Sequence, residues 1–266
     1  MSTTEGLRHS EILPPRPDAV RVISANIESH KHLDRLSTLA PYHPDVLCLQ
    51  EVFLANVPQL QTTFGMDQAH FVPLATITKA NAYDLPPLGP WGLLFLTNLE
   101  TSCFRADYYS GHPGALPEPN TPDANATARA LVSATVTKHH LPYILAFTHF
   151  TWSADGLTNT QQLIDVLKLL NFLDRFPQLA LFGDLNAPRY RNDIWTVLVS
   201  YGFIDNIPPH IRSTLDPHLH PAGHLDRMVD AVFTKPGYTA ANVQVISGVS
   251  DHCAIKTDLS LAKLSA

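Results

Sequence analysis

Residues Leu179–Asn186 read LALFGDLN, a short apolar run that passes directly into a polar turn. An uninterrupted apolar run bounded by turn residues predicts a strand that is buried on both faces. The turn presents Gly183, Asp184 and Asn186. On its own this pattern is more typical of a turn than of a reactive site, because Asp and Asn side chains bond their own backbone. Its meaning therefore depends on what the other predicted strands present at their ends.

Eight further segments predict strands, at residues 19–27, 45–50, 92–97, 129–137, 143–148, 229–234, 243–247 and 253–258. Polar side chains stand at or next to the ends of many of these strands. They are Asn26 with Glu28, Glu51, His149, Asp184 with Asn186, Asp230, and Asp251 with His252. A rigid sheet directs side chains from several segments into one crevice at its edge. The pattern predicts a strand-rich α/β protein with a single polar site.

The helical signals are fewer than the strand signals. The best one covers residues 160–176, with Leu163, Val166, Leu167, Leu170 and Leu173 as the predicted buried stripe and Thr158 with Gln161 as a predicted capping box. Residues 30–40 and 193–201 predict two shorter helices, and the Pro-, Gly- and Asn-rich residues 105–128 predict a surface flap. We expect an extended arm at 1–18, one domain at 19–260 and a short tail at 261–266.

Composition limits what the protein does. The chain has 266 residues, of which 45% are hydrophobic and 16% charged, and its formal net charge is −6. This balance excludes a strongly basic coat as the main source of nucleic-acid affinity. Cys48, Cys103 and Cys253 are too few for a disulfide framework, so we expect three buried thiols in a reducing compartment. The sequence shows neither a secretory signal nor a membrane-spanning run, which predicts an intracellular, cytoplasmic protein without membrane insertion.

Five short motifs together resemble the endonuclease/exonuclease/phosphatase superfamily, the DNase I-like fold. They are ANIE (Ala25–Glu28), LQE (Leu49–Glu51), FTHF (Phe147–Phe150), GDLN (Gly183–Asn186) and SDH (Ser250–His252). Each is weak alone, but all occur in the family's order, and the resemblance covers about Ala19 to Leu259. Within the family, the chain bears a faint resemblance to the tyrosyl-DNA phosphodiesterase-like members, and the nearest branch stays open. It implies a four-layer α/β/β/α sandwich of two mostly antiparallel sheets packed face to face, with a divalent-metal phosphohydrolase site at one edge.

The resemblance also implies roles for individual residues. Glu51 would be the principal metal ligand with Asn26 beside it, and oxygen donors of this kind suit Mg²⁺, with Mn²⁺ as a substitute. Asp184 would orient and deprotonate the attacking water. The remaining positions would contact the substrate or the edge of the metal site: Glu28, His149, Asn186, Asp251 and His252.

Two points stay open in the sequence. The aspartate that orients a histidine is either Asp226 or Asp230, and we prefer Asp230 because the residues after it, AVFTKPG, match the family's pattern of a strand followed by Pro-Gly. The segment Asp216–His224 carries three histidines and a carboxylate, which zinc favours. Its prolines and its lack of helical spacing favour an exposed or substrate-facing loop over a metal site.

The family's shared residues identify a reaction and not a leaving group. We expect hydrolysis of a phosphodiester in nucleic acid or a nucleotide-like compound, with Arg189 reaching a phosphate and Trp152 facing the cleft. A lipid or inositol phosphate substrate is the alternative. A binding module without activity is a further alternative, and the intact set of motif residues argues against it. Protein partners are not indicated.

Overall fold

The structure is a computed structural model that describes residues 17–80, 84–119 and 123–262. Its first sheet contains β1 (Val20–Asn26), β2 (Val46–Phe53), β3 (Gln68–Ile77), β4 (Gly89–Thr97), β11 (Tyr238–Ile246) and β12 (Ala254–Leu261). Its second sheet contains β5 (Glu100–Ser110), β6 (Arg129–Lys138), β7 (Leu141–Thr148), β8 (Ala180–Asp184), β9 (Ile204–Asp205) and β10 (Asp230–Thr234). The helices are α1 (Val57–Phe64), α2 (Thr160–Leu173) and α3 (Asp193–Ser200), with 3₁₀ turns at Leu33–Tyr42 and Leu54–Asn56.

Each sheet has six strands, in the orders β11-β12-β1-β2-β4-β3 and β5-β6-β7-β8-β10-β9. Only the pairs β1–β2 and β7–β8 are parallel, and every other pair in these sheets is antiparallel. The predicted sandwich of two mostly antiparallel sheets is confirmed. Antiparallel neighbours suit this fold because short connections join them, whereas a parallel pair needs a longer crossover.

The sheets pack face to face through large apolar side chains. Phe95 of β4 and Phe147 of β7 stack across the interface with their ring centroids 6.3 Å apart, and both are buried. Outside the first sheet, Leu36, Leu39 and Leu60 cover a second apolar cluster. Outside the second sheet, α2 packs on β5 and α3 packs beside α2. The thin helical layers therefore complete the four-layer arrangement.

All nine predicted strands form, with ends shifted by up to five residues, but β3, β5 and β9 were not predicted. All three missed strands lie at the edges of their sheets, and β3 and β5 are only half-buried. The missed β5 corrects the flap prediction, because residues 105–110 belong to this strand, and of the rest of the flap the described residues 111–119 and 123–128 lie outside strands and helices. Cys103 is exposed on β5, so the prediction of three buried thiols is wrong at that position.

Helix α2 buries Val166, Leu170 and Leu173 as predicted, but two other leucines of the predicted stripe are exposed. Leu163 and Leu167 are 44% and 63% exposed. The buried side chains are Gln162, Asp165, Val166, Leu169, Leu170 and Leu173. The predicted capping box is also wrong, because Asn159 caps the helix by accepting a hydrogen bond from the Gln162 backbone. Two polar residues are buried in place of leucines because they bond the loop after β7, as described below.

The predicted N-terminal arm and C-terminal tail lie largely outside the described residues. This applies to residues 1–16 of the predicted arm and residues 263–266 of the predicted tail. The single domain at 19–260 stays a prediction. No helix in the described part of the chain has the length and apolar character needed to cross a membrane.

A buried ion pair fastens the first sheet. Arg21 of β1 donates to both carboxylate oxygens of Asp258 of β12, at 2.7 and 3.0 Å, and both side chains are almost completely buried. We expect Asp258→Ala to lower the free energy of unfolding by about 3–5 kcal/mol, because it leaves a buried guanidinium without its carboxylate. Urea unfolding measures this. The exposed Asp226→Ala is the control, with an expected change within about 0.5 kcal/mol. A small effect of Asp258→Ala on the free energy of unfolding would contradict the stabilising role of this ion pair.

Candidate active site

The topology brings the polar strand ends to one edge of the sandwich. Strands β1 and β2 are parallel, so Asn26 and Glu51 leave the first sheet at the same edge. Strand β12 runs antiparallel to β1, which places His252 at that edge as well. In the second sheet, Asp230 at the start of β10 pairs with Asp184 at the end of β8. The site therefore draws its side chains from both sheets.

Asp184 lies at the centre of this group and is 1% exposed. Its Oδ2 atom lies 3.2 Å from Asn26 Nδ2, 3.5 Å from His149 Nε2 and 3.8 Å from His252 Nε2. Its Oδ1 atom accepts the backbone N–H of Asn186 at 2.7 Å, which fixes the carboxylate plane. Burial, reinforced by the charge of Asp230, raises the pKa of Asp184 to about 6, although His252 acts in the opposite direction. A carboxylate with a raised pKa is a better proton acceptor at neutral pH.

Glu51 stands beside Asp184 and is partly open to the cleft. Its Oε1 atom accepts a hydrogen bond from Asn26 Nδ2 at 3.0 Å. Burial and the nearby charge of Asp251 raise the pKa of Glu51 to about 7. Its backbone has φ +61°, where β2 bulges away from its regular pairing with β4. A non-glycine residue persists in that region only when its surroundings hold it there, and such positions cluster at functional sites.

His252 is paired with Asp230, whose Oδ2 atom lies 2.9 Å from His252 Nδ1. Burial lowers the pKa of His252, but the charges of Asp230 and Asp184 outweigh burial and raise it well above 6.5. The ring is thus held as a cation with Nε2 directed toward Asp184. The open choice between two aspartates falls on Asp230, since Asp226 is largely exposed and pairs instead with His224 at 3.4 Å.

His149 has the opposite electrostatic character. Burial lowers its pKa well below 6.5, and the positive charges of Arg129 and His252 lower it further. Its buried Nδ1 atom has no hydrogen-bond partner among the described residues. Two histidines on either side of one carboxylate are therefore held in different protonation states, an arrangement that separates donor and acceptor roles.

Asn26 and Glu28 occupy the floor of the site in an orientation that the sequence did not predict. The Asn26 Oδ1 atom accepts the backbone N–H of Glu28 at 3.1 Å, so its amide nitrogen, not its oxygen, faces the two carboxylates. The Glu28 carboxylate is paired with Lys31 and His32. In this conformation Asn26 separates Glu51 from Asp184, and the amide must rotate before its oxygen can bind a cation.

The carboxylates fit a hard divalent cation. The Oδ1 atom of Asp251 is buried without a hydrogen-bond partner among the residues described, and burial raises the pKa of this carboxyl. Asp251 and Glu51 are close enough for the charge of one to raise the pKa of the other. Buried carboxylates that repel one another and lack donors are stabilised by a cation with oxygen ligands. Asp184, Asp230 and His252 also present ligand atoms within 4.8 Å of one another, but the hydrogen bond to Asp230 already uses one nitrogen of His252.

A cleft of about 580 Å³ opens over these groups. Trp152, Asn186 and Glu28 line it, as do His220, Pro221 and Ala222 of the histidine-rich loop. His224 of that loop is exposed and points elsewhere, in agreement with a substrate-facing loop and not with a three-histidine metal site. The side chain of Asn186 donates to the Phe150 carbonyl at 3.1 Å, which ties the turn after β8 to the segment after β7.

Arg189 does not lie in the cleft, which corrects its prediction as a substrate contact. Its Nη2 atom forms a 2.6 Å ion pair with Asp205, and its Nη1 atom donates to the Ile207 carbonyl. The side chain is 11% exposed. Closeness in sequence to the GDLN turn suggested a phosphate contact, but the chain turns the guanidinium toward β9.

Several supporting residues were missed. Gln162 of α2 donates to the carbonyls of Thr151 and Asn186, and Asp165 accepts a hydrogen bond from the Thr151 hydroxyl. Thr214 accepts the backbone N–H of Asp230 through its hydroxyl and so positions the aspartate that pairs with His252. Hydrophobic periodicity gave no signal for the polar residues of α2, because their role depends on contacts with loops that are distant in sequence.

The sequence matches the model of the Endonuclease/Exonuclease/phosphatase family over residues 23–252. The chain belongs to that family. Among curated proteins none matches it. Solved structures with the same fold include the human Nocturnin catalytic domain with bound sulfate, at 17% identity and a TM-score of 0.66, covering 93% of this chain and 95% of that one.

Two other solved structures with the same fold are a phosphatase and a TDP2 protein. The Bacteroides thetaiotaomicron mannosyl-6-phosphatase has 13% identity and a TM-score of 0.66, and the match covers 91% of this chain and 100% of that one. A humanized TDP2 of D. rerio has 18% identity and a TM-score of 0.61, covering 91% of this chain and 99% of that one. At these identities the endonuclease/exonuclease/phosphatase fold is shared, whereas the substrate is not transferable.

Proposed function

We propose that this family member is a divalent-metal-dependent phosphohydrolase that cleaves phosphodiester bonds, in nucleic acid or a nucleotide-like compound, by in-line attack of water. The observation that carries the proposal is the convergence on one carboxylate, Asp184, of a cationic and a neutral histidine beside a cluster of carboxylates. Phosphoryl transfer needs little covalent chemistry from the protein. It needs a positioned water, a proton acceptor and stabilisation of negative charge.

The chain's own residues supply these three requirements. Asp184 orients a water and accepts its proton, and the raised pKa of this carboxyl suits that step. His252 donates from Nε2 to a non-bridging phosphate oxygen, while Asp230 holds its other nitrogen. His149, on the other side of Asp184, donates a second hydrogen bond from Nε2 to a non-bridging phosphate oxygen. Asn186 orients Asp184 through its backbone N–H.

Glu51 and Asp251 would hold Mg²⁺ or Mn²⁺, with Asn26 joining them after its amide rotates. The cation would supply positive charge against the developing charge on the phosphate and its leaving oxygen. Its binding also neutralises carboxylates whose pKa values are raised by burial and mutual repulsion.

Turnover that depends on the cation is the decisive expectation. Purified protein should hydrolyse bis(p-nitrophenyl) phosphate with Mg²⁺ or Mn²⁺ and lose that activity in EDTA. The same assay with single-stranded DNA, abasic duplex and 5′-tyrosyl DNA orders the nucleic-acid substrates. If none of these compounds is turned over in an EDTA-sensitive way, the proposed function is wrong.

A lipid or inositol phosphate remains the second candidate, favoured by the apolar side chains of Ile77, Leu85 and Trp152 along the cleft. Sphingomyelin and inositol phosphates in the same assay distinguish it from a nucleotide-like substrate. The complete set of Asp184 with His149 and His252, each within 4 Å of its carboxylate, argues against a binding module that has lost activity.

A further inference from the structure

The loop between β5 and β6 is fastened to the segment that follows β7. Asn125 donates from Nδ2 to the Trp152 carbonyl at 3.0 Å, and its Oδ1 atom accepts the Trp152 backbone N–H at 2.8 Å. One amide side chain thus satisfies both backbone groups of Trp152, in the manner of a neighbouring strand. The position of Trp152 is therefore set by a residue that is distant in sequence.

Arg129 fastens the same two segments at a second point. Its Nη2 atom donates to the Ala124 carbonyl at 2.9 Å, and its Nη1 atom donates to the His149 carbonyl at 3.3 Å. The guanidinium is almost completely buried. The loop is also held at its end, where the Ala128 backbone donates to the Leu74 carbonyl. The part of the loop at 123–128 and the segment 149–152 therefore form one rigid wall.

This wall faces the candidate active site. Asp123, Ala124 and Thr127 line the same cleft as Trp152, together with Asp184 and the two histidines. The indole of Trp152 is 38% exposed although its backbone is firmly bonded. A large aromatic residue whose backbone is fixed and whose side chain is partly exposed to the cleft offers a pre-organised surface for a planar ligand.

The charges around the cleft exclude extended contact with a phosphate backbone. Lys31 and Arg129 are the only lysine and arginine among the described residues that line it. Lys31 is paired with Glu28, and Arg129 is bonded to backbone carbonyls. Tracking a polymer requires several phosphate contacts. Affinity beyond a single phosphate must therefore come mainly from uncharged parts of the substrate.

We propose that Trp152, held in place by Asn125, is a stacking subsite for the planar base of a nucleotide whose phosphate lies against Asp184, His149 and His252. This rests on the proposed function, because the phosphate must bind at that site. With this subsite, the preferred substrate is a phosphate ester that carries a nucleobase, and the site recognises a single nucleotide unit.

The test compares adenosine 5′-monophosphate with ribose 5-phosphate, which differ only by the base. Isothermal titration calorimetry in Mg²⁺ should show that the full-length protein prefers the nucleotide by about 5- to 150-fold, the range expected for one base stacked on an aromatic side chain. In Trp152→Ala this ratio should fall to about one, and Trp152→Phe should restore most of it. In Asn125→Ala the ratio should fall severalfold, because the indole loses its anchored position.

Tyr190→Ala is the matched control, since Tyr190 is an exposed aromatic residue that does not line the cleft, and it should keep the wild-type ratio. Equal affinity of the wild type for the two ligands, or an undiminished ratio in Trp152→Ala, overturns the subsite. Cation-dependent hydrolysis of bis(p-nitrophenyl) phosphate without a base preference rejects the subsite alone. Failure to bind either ligand together with absence of that hydrolysis rejects the proposed function as well.

Discussion

Replacing Asp184 with alanine is expected to lower kcat for phosphodiester hydrolysis by at least about 10²-fold, the loss expected when a general base is removed. Among the residues that the structure describes, Asp184 is the one carboxylate within 4 Å of both histidines, and its pKa of about 6 suits proton transfer near neutral pH. Asp184→Asn keeps the size of the side chain and an acceptor for the Asn186 backbone, but it cannot take up the proton. We therefore expect Asp184→Asn to be nearly as inactive as Asp184→Ala.

The matched control is Asp226→Ala, which removes an exposed carboxylate that the sequence left as an alternative. Steady-state kinetics with bis(p-nitrophenyl) phosphate should show near-wild-type kcat for this control. A thermal melt of each variant separates lost chemistry from lost folding. Near-wild-type kcat in both Asp184 variants would mean that another group takes the proton.

The second large effect is expected at the pair of His252 and Asp230. His252→Ala should lower kcat by at least about 10²-fold, because it removes a donor directed at developing negative charge. His224→Ala is the matched control, since that ring is exposed and lies away from the site. Comparable losses of kcat in His252→Ala and His224→Ala would contradict the proposed role of His252.

Asp230→Asn separates the charge of the pair from its geometry. Burial lowers the pKa of His252, and the combined charges of Asp230 and Asp184 outweigh burial and keep this pKa well above 6.5. Without that charge, burial lowers the pKa of His252, so its cationic form is lost at a lower pH. The alkaline limb of the kcat profile should therefore move to lower pH, whereas the fall in activity on the acid side is still set by protonation of Asp184. An unchanged pH profile would show that His252 does not act as a cation.

The sequence identified the positions of the site because each is a local feature at the end of a buried strand. Asp184, His149 and His252 needed only the knowledge that neighbouring strand ends meet at one edge. The preference for Asp230 over Asp226 rested on the resemblance of the residues after Asp230 to the family's pattern of a strand followed by Pro-Gly. These inferences depend on the period of the apolar residues, and that period is strong in central strands.

The errors arose where a long-range contact overrides the local pattern. Leucines at helical spacing predicted the buried face of α2, but Gln162 and Asp165 are buried instead because they bond a loop that is distant in sequence. Arg189 is next to a motif, yet its partner Asp205 lies on another strand. The contacts of Asn125 with Trp152 join two loops, and no periodicity describes such a pair.

The division of the site between the two sheets means that the core and the chemistry are not independent. Asn26, Glu51 and His252 are carried by one sheet, whereas His149, Asp184 and Asp230 are carried by the other. The relative position of the sheets is set by apolar pairs such as Phe95 and Phe147, the second of which lies two residues before His149. A fragment that contained a single sheet would lack half of these side chains. Substitutions deep in the interior, far from any substrate, can adjust the rate by sliding one half of the site past the other.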